Sequence, residues 1–107
     1  MKRFDVEYLP EAVDFIQSIE KKAAEKLVYN IWKAQAINDT RVFKKLINSN
    51  IWEFRAEYQS NEYRLFAFWN HRQNSFVICT HGIVKKTQKT PQKEIDKAEQ
   101  LRKKYFG

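Results

Sequence analysis

Two stretches of strict alternation leave this chain little choice of architecture. In the first, Trp52, Phe54, Ala56 and Tyr58 share one parity, while Glu53, Arg55 and Glu57 share the other. In the second, Tyr63, Leu65, Ala67 and Trp69 alternate with Glu62, Arg64, Phe66 and Phe68. Side chains on a strand point to opposite faces in turn, so a period of two marks a strand with one apolar face. The polar Gln59-Ser60-Asn61 between the runs predicts a hairpin.

The flanking sequence supplies the remaining elements. Phe4 to Tyr8 alternates and reads as a short strand. Pro10 suits the first position of a helix, where its missing N–H costs nothing. Ala12, Phe15, Ile16 and Ile19 follow at helical spacing. The stripe breaks near Glu20, then resumes with Ala23, Ala24, Leu27, Val28 and Ile31, which predicts two helices. Asn38-Asp39-Thr40 ends the pattern, and Val42 to Ile47 reads as a basic connector carrying Lys44 and Lys45. Asn70 to Asn74, which holds His71, reads as an exposed turn before a third strand from Phe76 to Val84. Thr90-Pro91 then reads as an N-cap with proline behind it. It would open a last helix striped with Ile95, Ala98, Leu101 and Tyr105. The expected fold is a single α+β domain over residues 1–107. It comprises an N-terminal strand, a two-helix hairpin, a three-stranded antiparallel sheet and a C-terminal helix.

Composition narrows the function classes. Apolar residues are 43% of the chain, enough for a core and too many for a disordered tail. Lys and Arg number 20 against 13 Asp and Glu, a net charge of +7. For so small a domain that bias points to a polyanion: nucleic acid first, a membrane surface second, an acidic protein third. Solubility alone is the other reading. The N-terminus lacks an apolar signal run, and no stretch approaches the roughly 20 apolar residues of a membrane span. The cytosol is therefore the expected compartment.

With one cysteine, Cys79, no internal disulfide can form, and its apolar neighbours suggest a buried small hydrophobe. Two histidines and this cysteine lack ligand spacing, so no metal or other cofactor is expected. The chain has no glycine-rich phosphate loop to support nucleotide hydrolysis.

The hairpin parity brings out one constellation. Arg55 and Arg64 fall on neighbouring strands, on the face opposite Trp52, Phe54, Tyr63 and Leu65. Two guanidinium groups so placed can hold one phosphate or two adjacent ones, because each offers paired donors and a permanent charge. Cross-strand pairing with Glu53, Glu57 or Glu62 is the structural alternative. After the third strand, Lys85, Lys86 and Lys89 gather charge near Gly82, where the backbone can bend, or else form a solvated loop. By simple alternation His81 faces with Val77, Cys79 and Ile83, either as a proton shuttle or as a core histidine. Tyr58 and Phe66 are candidates to stack a nucleobase if their rings are exposed beside the arginines.

The segments Ile51-Trp52-Glu53-Phe54-Arg55 and Asn61-Glu62-Tyr63-Arg64-Leu65-Phe66 together resemble the RelE/ParE toxin superfamily. The run Thr80-His81-Gly82-Ile83-Val84-Lys85-Lys86-Thr87-Gln88-Lys89-Thr90-Pro91, before a helix beginning near Glu94, resembles its phage-derived HigB-like branch. Val42-Phe43-Lys44-Lys45-Leu46 is similar to the family's run ahead of the hairpin, so the likeness covers nearly the whole chain.

The resemblance implies a ribosome-associated mRNA endonuclease held in check by an antitoxin, usually a helix-turn-helix protein. Arg64 matches the hairpin arginine that contacts the scissile phosphate. Arg55 matches a basic position on the preceding strand, and Lys85 and Lys86 match basic positions after the last one. Members differ in their acid and base, and Glu53 stands where some carry a basic residue, so the general base stays open. RNA supplies its own nucleophile in the 2′-OH, so the expected route needs no metal. Arg64 would clamp the transition state with support from Arg55. Lys85 or Lys86 would hold the backbone or act as acid, and His81, Lys44 and Lys45 are further proton-transfer candidates. Lys44, Lys45 and Lys89, with Tyr58 and Phe66, would contact RNA. The competing expectations are a ParE-like gyrase poison, a non-catalytic nucleic-acid binder and a non-toxic co-regulator.

Overall fold

The computed structural model describes residues 2–70, 72, 75–87 and 89–107; the expected exposure of His71 lies outside them. The hairpin is present as strands β3 (Trp52–Tyr58) and β4 (Asn61–Asn70). Tyr58 pairs with Asn61, leaving a two-residue loop of Gln59 and Ser60 with φ of 48° and 67°. Both residues are left-handed, the geometry that matches the twist of the flanking strands, and here it is reached without glycine.

Around the hairpin the sheet is larger than the alternation indicated. It has five strands in the order β1-β5-β4-β3-β2, with β1 (Asp5–Tyr8), β2 (Phe43–Lys45) and β5 (Phe76–Lys85). The supposed connector is thus a strand, antiparallel to β3, and the sheet is mixed because β1 runs parallel to β5. Three residues are too few to show a period, so β2 owes its form to pairing with Phe54, Glu53 and Trp52.

Helices cover both faces. On one face α1 (Pro10–Ser18) and α2 (Lys21–Ala36) meet the apolar parity of the hairpin. Ala12, Ala23, Leu27, Ile31 and Ala34 pack there with Phe54, Tyr63, Leu65, Val77 and Cys79. Aromatic rings fill one end of this core, where Phe43 stacks on Phe54 at 4.3 Å and on Trp52 at 4.9 Å. Arg3 donates from Nη1 to the carbonyls of Ala34 and Ile37, helping to close the C-terminus of α2.

On the other face α3 (Gln92–Phe106) covers a second core of Ile51, Phe66, Phe68, Ile78 and Ala98. This helix begins one residue after Pro91, and the Thr90 hydroxyl does not cap it. That hydroxyl is engaged by the sheet instead, as described below. The second core fills only part of the face. Beyond the N-terminal end of α3 lie the charged residues of the hairpin.

Candidate functional site

Arg55 and Arg64 are direct cross-strand partners in the β3–β4 register. The next row towards the hairpin loop pairs Glu57 with Glu62, and Glu62 pairs in turn with Lys85 on β5. On the other side, Glu53 pairs with Lys44 on β2. Neighbours in a row share a face, so the structure assembles Lys44, Glu53, Arg55, Glu57, Glu62, Arg64 and Lys85 on one side of the sheet.

The arginines are not free cations. Glu53 Oε1 lies 3.5 Å from Arg55 Nε and 3.4 Å from Arg64 Nε, and Arg64 Nη2 lies 2.8 Å from Glu62 Oε1. The N–H directions of Arg64 Nε and Nη2 meet no aligned acceptor among the described residues, so these contacts are ion pairs rather than aligned hydrogen bonds. Arg64 is 1% exposed and forms the floor, whereas the Arg55 side chain is 20% exposed. The expected cross-strand pairing with glutamates and the expected juxtaposition of the two arginines therefore coexist.

A second chain of contacts joins this cluster to the start of α3. Lys85 Nζ donates to Thr90 Oγ1 at 3.2 Å, and Thr90 Oγ1 donates to Glu53 Oε2 at 3.0 Å. Burial, and then the Arg64 charge, hold the Lys85 ammonium below the ordinary lysine range. Such an ammonium gives up its proton more readily than an exposed one. A cleft of about 300 Å³ opens over the cluster. Lys26 and Asn30 of α2 and Arg41 line it together with Arg55, Glu57, Glu62 and Arg64. Arg41 is itself held by Asp39 at 2.9 Å. The arrangement can bind an anion, spread its charge over guanidinium donors and exchange protons with nearby carboxyl and ammonium groups.

Three expectations about side chains are corrected. Phe66 is fully buried under α3, and Tyr58 packs against the α1–α2 core on the face away from the arginines, so neither offers a ring beside them. His81 leaves the face of Val77 and Cys79 because β5 contains a bulge. Leu65 pairs with Gly82 but Ala67 with Cys79, so Thr80 and His81 together oppose Phe66. His81 lies 5.0 Å from the Phe66 ring and belongs to the α3 side. Its Nδ1 is 3.0 Å from Thr80 Oγ1 and its Nε2 is 3.1 Å from Glu94 Oε1. Burial lowers its proton affinity, with Glu94 partly opposing, which fits a neutral imidazole joining β5 to α3.

The bulge also brings Lys85 to the arginines, because unbroken alternation would put it on the opposite face. Gly82 was the available signal, since glycine inside a strand pattern marks a bulge or a close approach. Lys45 pairs with Trp52 and lines a different hollow with Asn50 and Trp69. Lys86 and Lys89 are exposed beyond β5. Cys79 is completely buried, which pushes its thiol far up and leaves it a core residue. Among the described residues, no group of three or more His, Cys, Asp or Glu is placed to hold a metal ion. No helix of the described residues is long and apolar enough to cross a membrane.

The profile of the family described as "Phage derived protein Gp49-like (DUF891)" matches residues 14–103. The chain belongs to the phage-derived Gp49-like family. No curated protein sequence matches this Gp49-like chain. Among solved structures, it is similar to a double arginine-to-alanine mutant of the E. coli toxin RelE in the free state. That likeness has a TM-score of 0.64 at 15% identity, over 95% of this chain and 98% of the other. It is also similar to a chain of the intact E. coli RelBE toxin–antitoxin complex, with a TM-score of 0.57 at 14% identity, over 80% of this chain and 99% of that one. The Gp49-like chain thus has the RelE-like toxin fold.

Proposed function

We propose that this chain is the toxin of a toxin–antitoxin pair and cleaves mRNA on the ribosome. The observation that carries the reading is the direct pairing of Arg55 with Arg64 on the cleft side of the hairpin. Family membership and the RelE-like fold support it. The attack of a 2′-OH on the adjacent phosphate adds negative charge to the phosphoryl oxygens, and preorganised guanidinium donors stabilise that charge. Arg55 makes the accessible contact and Arg64 supports it from the floor. Lys85 donates a proton to the leaving 5′-oxygen. Lys44, Lys86 and Lys89 are exposed cations that engage the RNA backbone on either side. An antitoxin, expected to be a helix-turn-helix protein, holds the toxin inactive in a hetero-complex.

The test is cleavage of mRNA on programmed ribosomes by purified toxin variants. Removing Arg64 outright would strand buried Glu53 and Glu62, at a stability cost of about 3–5 kcal/mol. Arg64→Lys keeps the charge but loses the paired donors, and Arg55→Ala removes the accessible guanidinium. Each is expected to slow cleavage on the order of 100-fold, with the unfolding midpoint monitored alongside. Wild-type cleavage rates in both variants would overturn the assignment.

A further inference from the structure

We propose that Glu57 is the general base that takes the 2′-OH proton in this reaction, an assignment that rests on the nuclease reading above. Three carboxylates share the arginine face, and only one is available. Glu53 is 2% exposed and committed to Arg55, Arg64 and Thr90; Glu62 is 7% exposed and committed to Arg64. Glu57 is exposed at the same cleft, two residues from Arg55 on one face of β3. A base must reach the proton it abstracts, and a phosphate held at Arg55 brings its neighbouring ribose within that distance. His81 is 4% exposed and has both ring nitrogens occupied.

The surroundings of Glu57 are those of a proton acceptor. Its carboxyl stands across from that of Glu62 on β4, and that neighbour, through hydrogen bonding and then charge, raises its proton affinity. Burial opposes ionisation of Glu62, but its interactions with Glu57 and with the Arg64 guanidinium more than offset it and hold its carboxyl below the usual carboxylate range. Of the two carboxyls, the exposed one is therefore the readier proton acceptor. Among the described residues that line the cleft with Glu57, the charged groups other than Glu62 are cationic: Arg55 on its own strand, Arg64 on β4, Lys26 on α2 and Arg41 before β2; Lys85 on β5 pairs with Glu62 from the far side. Lys26 Nζ also donates to the Glu57 carbonyl, which fixes the backbone at this position. Lys26 and Arg64 partly oppose the rise.

The step balances with groups on the page. The 2′-O–H bond breaks and its proton passes to a Glu57 carboxylate oxygen. The freed oxygen lone pair forms a bond to phosphorus. The bond from phosphorus to the 5′-oxygen breaks, its electron pair leaves with that oxygen, and the Lys85 ammonium supplies a proton. The products are a 2′,3′-cyclic phosphate and a 5′-hydroxyl. Protonated Glu57 then donates to Glu62, which stabilises it until solvent takes the proton.

The experiment is single-turnover cleavage of ribosome-bound mRNA from mildly acidic to mildly alkaline pH, with wild type, Glu57→Gln and Glu57→Asp. Because the base must be ionised, the wild-type rate rises with pH along an acidic limb set by Glu57. Glu57→Gln is expected to lose about 100-fold or more in rate, with little change in KM and with that limb abolished. Glu57→Asp is expected to recover part of the rate and the limb. Glu57 is exposed, so unfolding midpoints should stay close to wild type. Wild-type cleavage by Glu57→Gln overturns the assignment, and so does slow cleavage that keeps the acidic limb. A wild type that cleaves nothing overturns the nuclease reading itself, and the assignment with it.

Discussion

His81 illustrates how a residue with catalytic chemistry can be put to structural use. The folded environment holds its proton affinity below the ordinary histidine value, chiefly through burial. Unfolding restores the usual value of about 6.5. Below that pH the unfolded chain takes up a proton that the folded one still refuses, so stability falls with acidification. A urea midpoint that declines from about pH 7 to about pH 5 in wild type, and declines less in His81→Gln, is the expected result. Comparing the two proteins cancels the contributions of the carboxylates. Asp39, held low by Arg41, loses its contribution only at lower pH. The shared face of the two arginines was legible in the sequence from hairpin parity, while their direct pairing depends on the two-residue loop that sets Tyr58 across from Asn61. The fate of Phe66 was not, since parity assigns a face without saying which helix covers it. Glu57 was visible only as one of three possible arginine partners, and its separation from Glu53 and Glu62 required their burial.

At the scale of elements, the helices and the hairpin followed from periodicity and from Pro10, while the edges of the sheet did not. β1 and β2 are short, and what makes them strands is their neighbours. The bulge in β5 has a similar character, because one extra residue leaves no mark on composition. Gly82 makes it testable. A Cβ built there would meet the Phe15 ring of α1 at 2.2 Å, far inside contact distance. Gly82→Ala is therefore expected to push α1 away from the sheet and to cost about 1–3 kcal/mol, as overpacking does. Thermal or urea unfolding measures this directly. A variant as stable as wild type would mean that Phe15 can turn aside freely.

For the molecule as a whole, the net charge of +7 is divided between a nearly neutralised cluster and free cations around it. RNA binding should therefore depend on salt through the outer lysines more than through the paired arginines. If about three phosphates are neutralised, affinity for single-stranded RNA should fall roughly 20-fold between about 50 and 200 mM salt. Titrations at several ionic strengths give the slope, and Lys86→Ala combined with Lys89→Ala should reduce it. A change of length in a surface loop can be absorbed where the flanking strands end. Thr80 and His81 are different. Deleting one residue there would restore an uninterrupted ladder and leave composition, charge and both apolar layers almost untouched. Straightening the strand with both residues kept would instead send every side chain from position 82 onward to the opposite side, taking the Lys85 ammonium from Thr90 and the arginines and turning it towards α1. One bulge, invisible to any count of residues, thus decides on which side of the molecule the Lys85 ammonium is found.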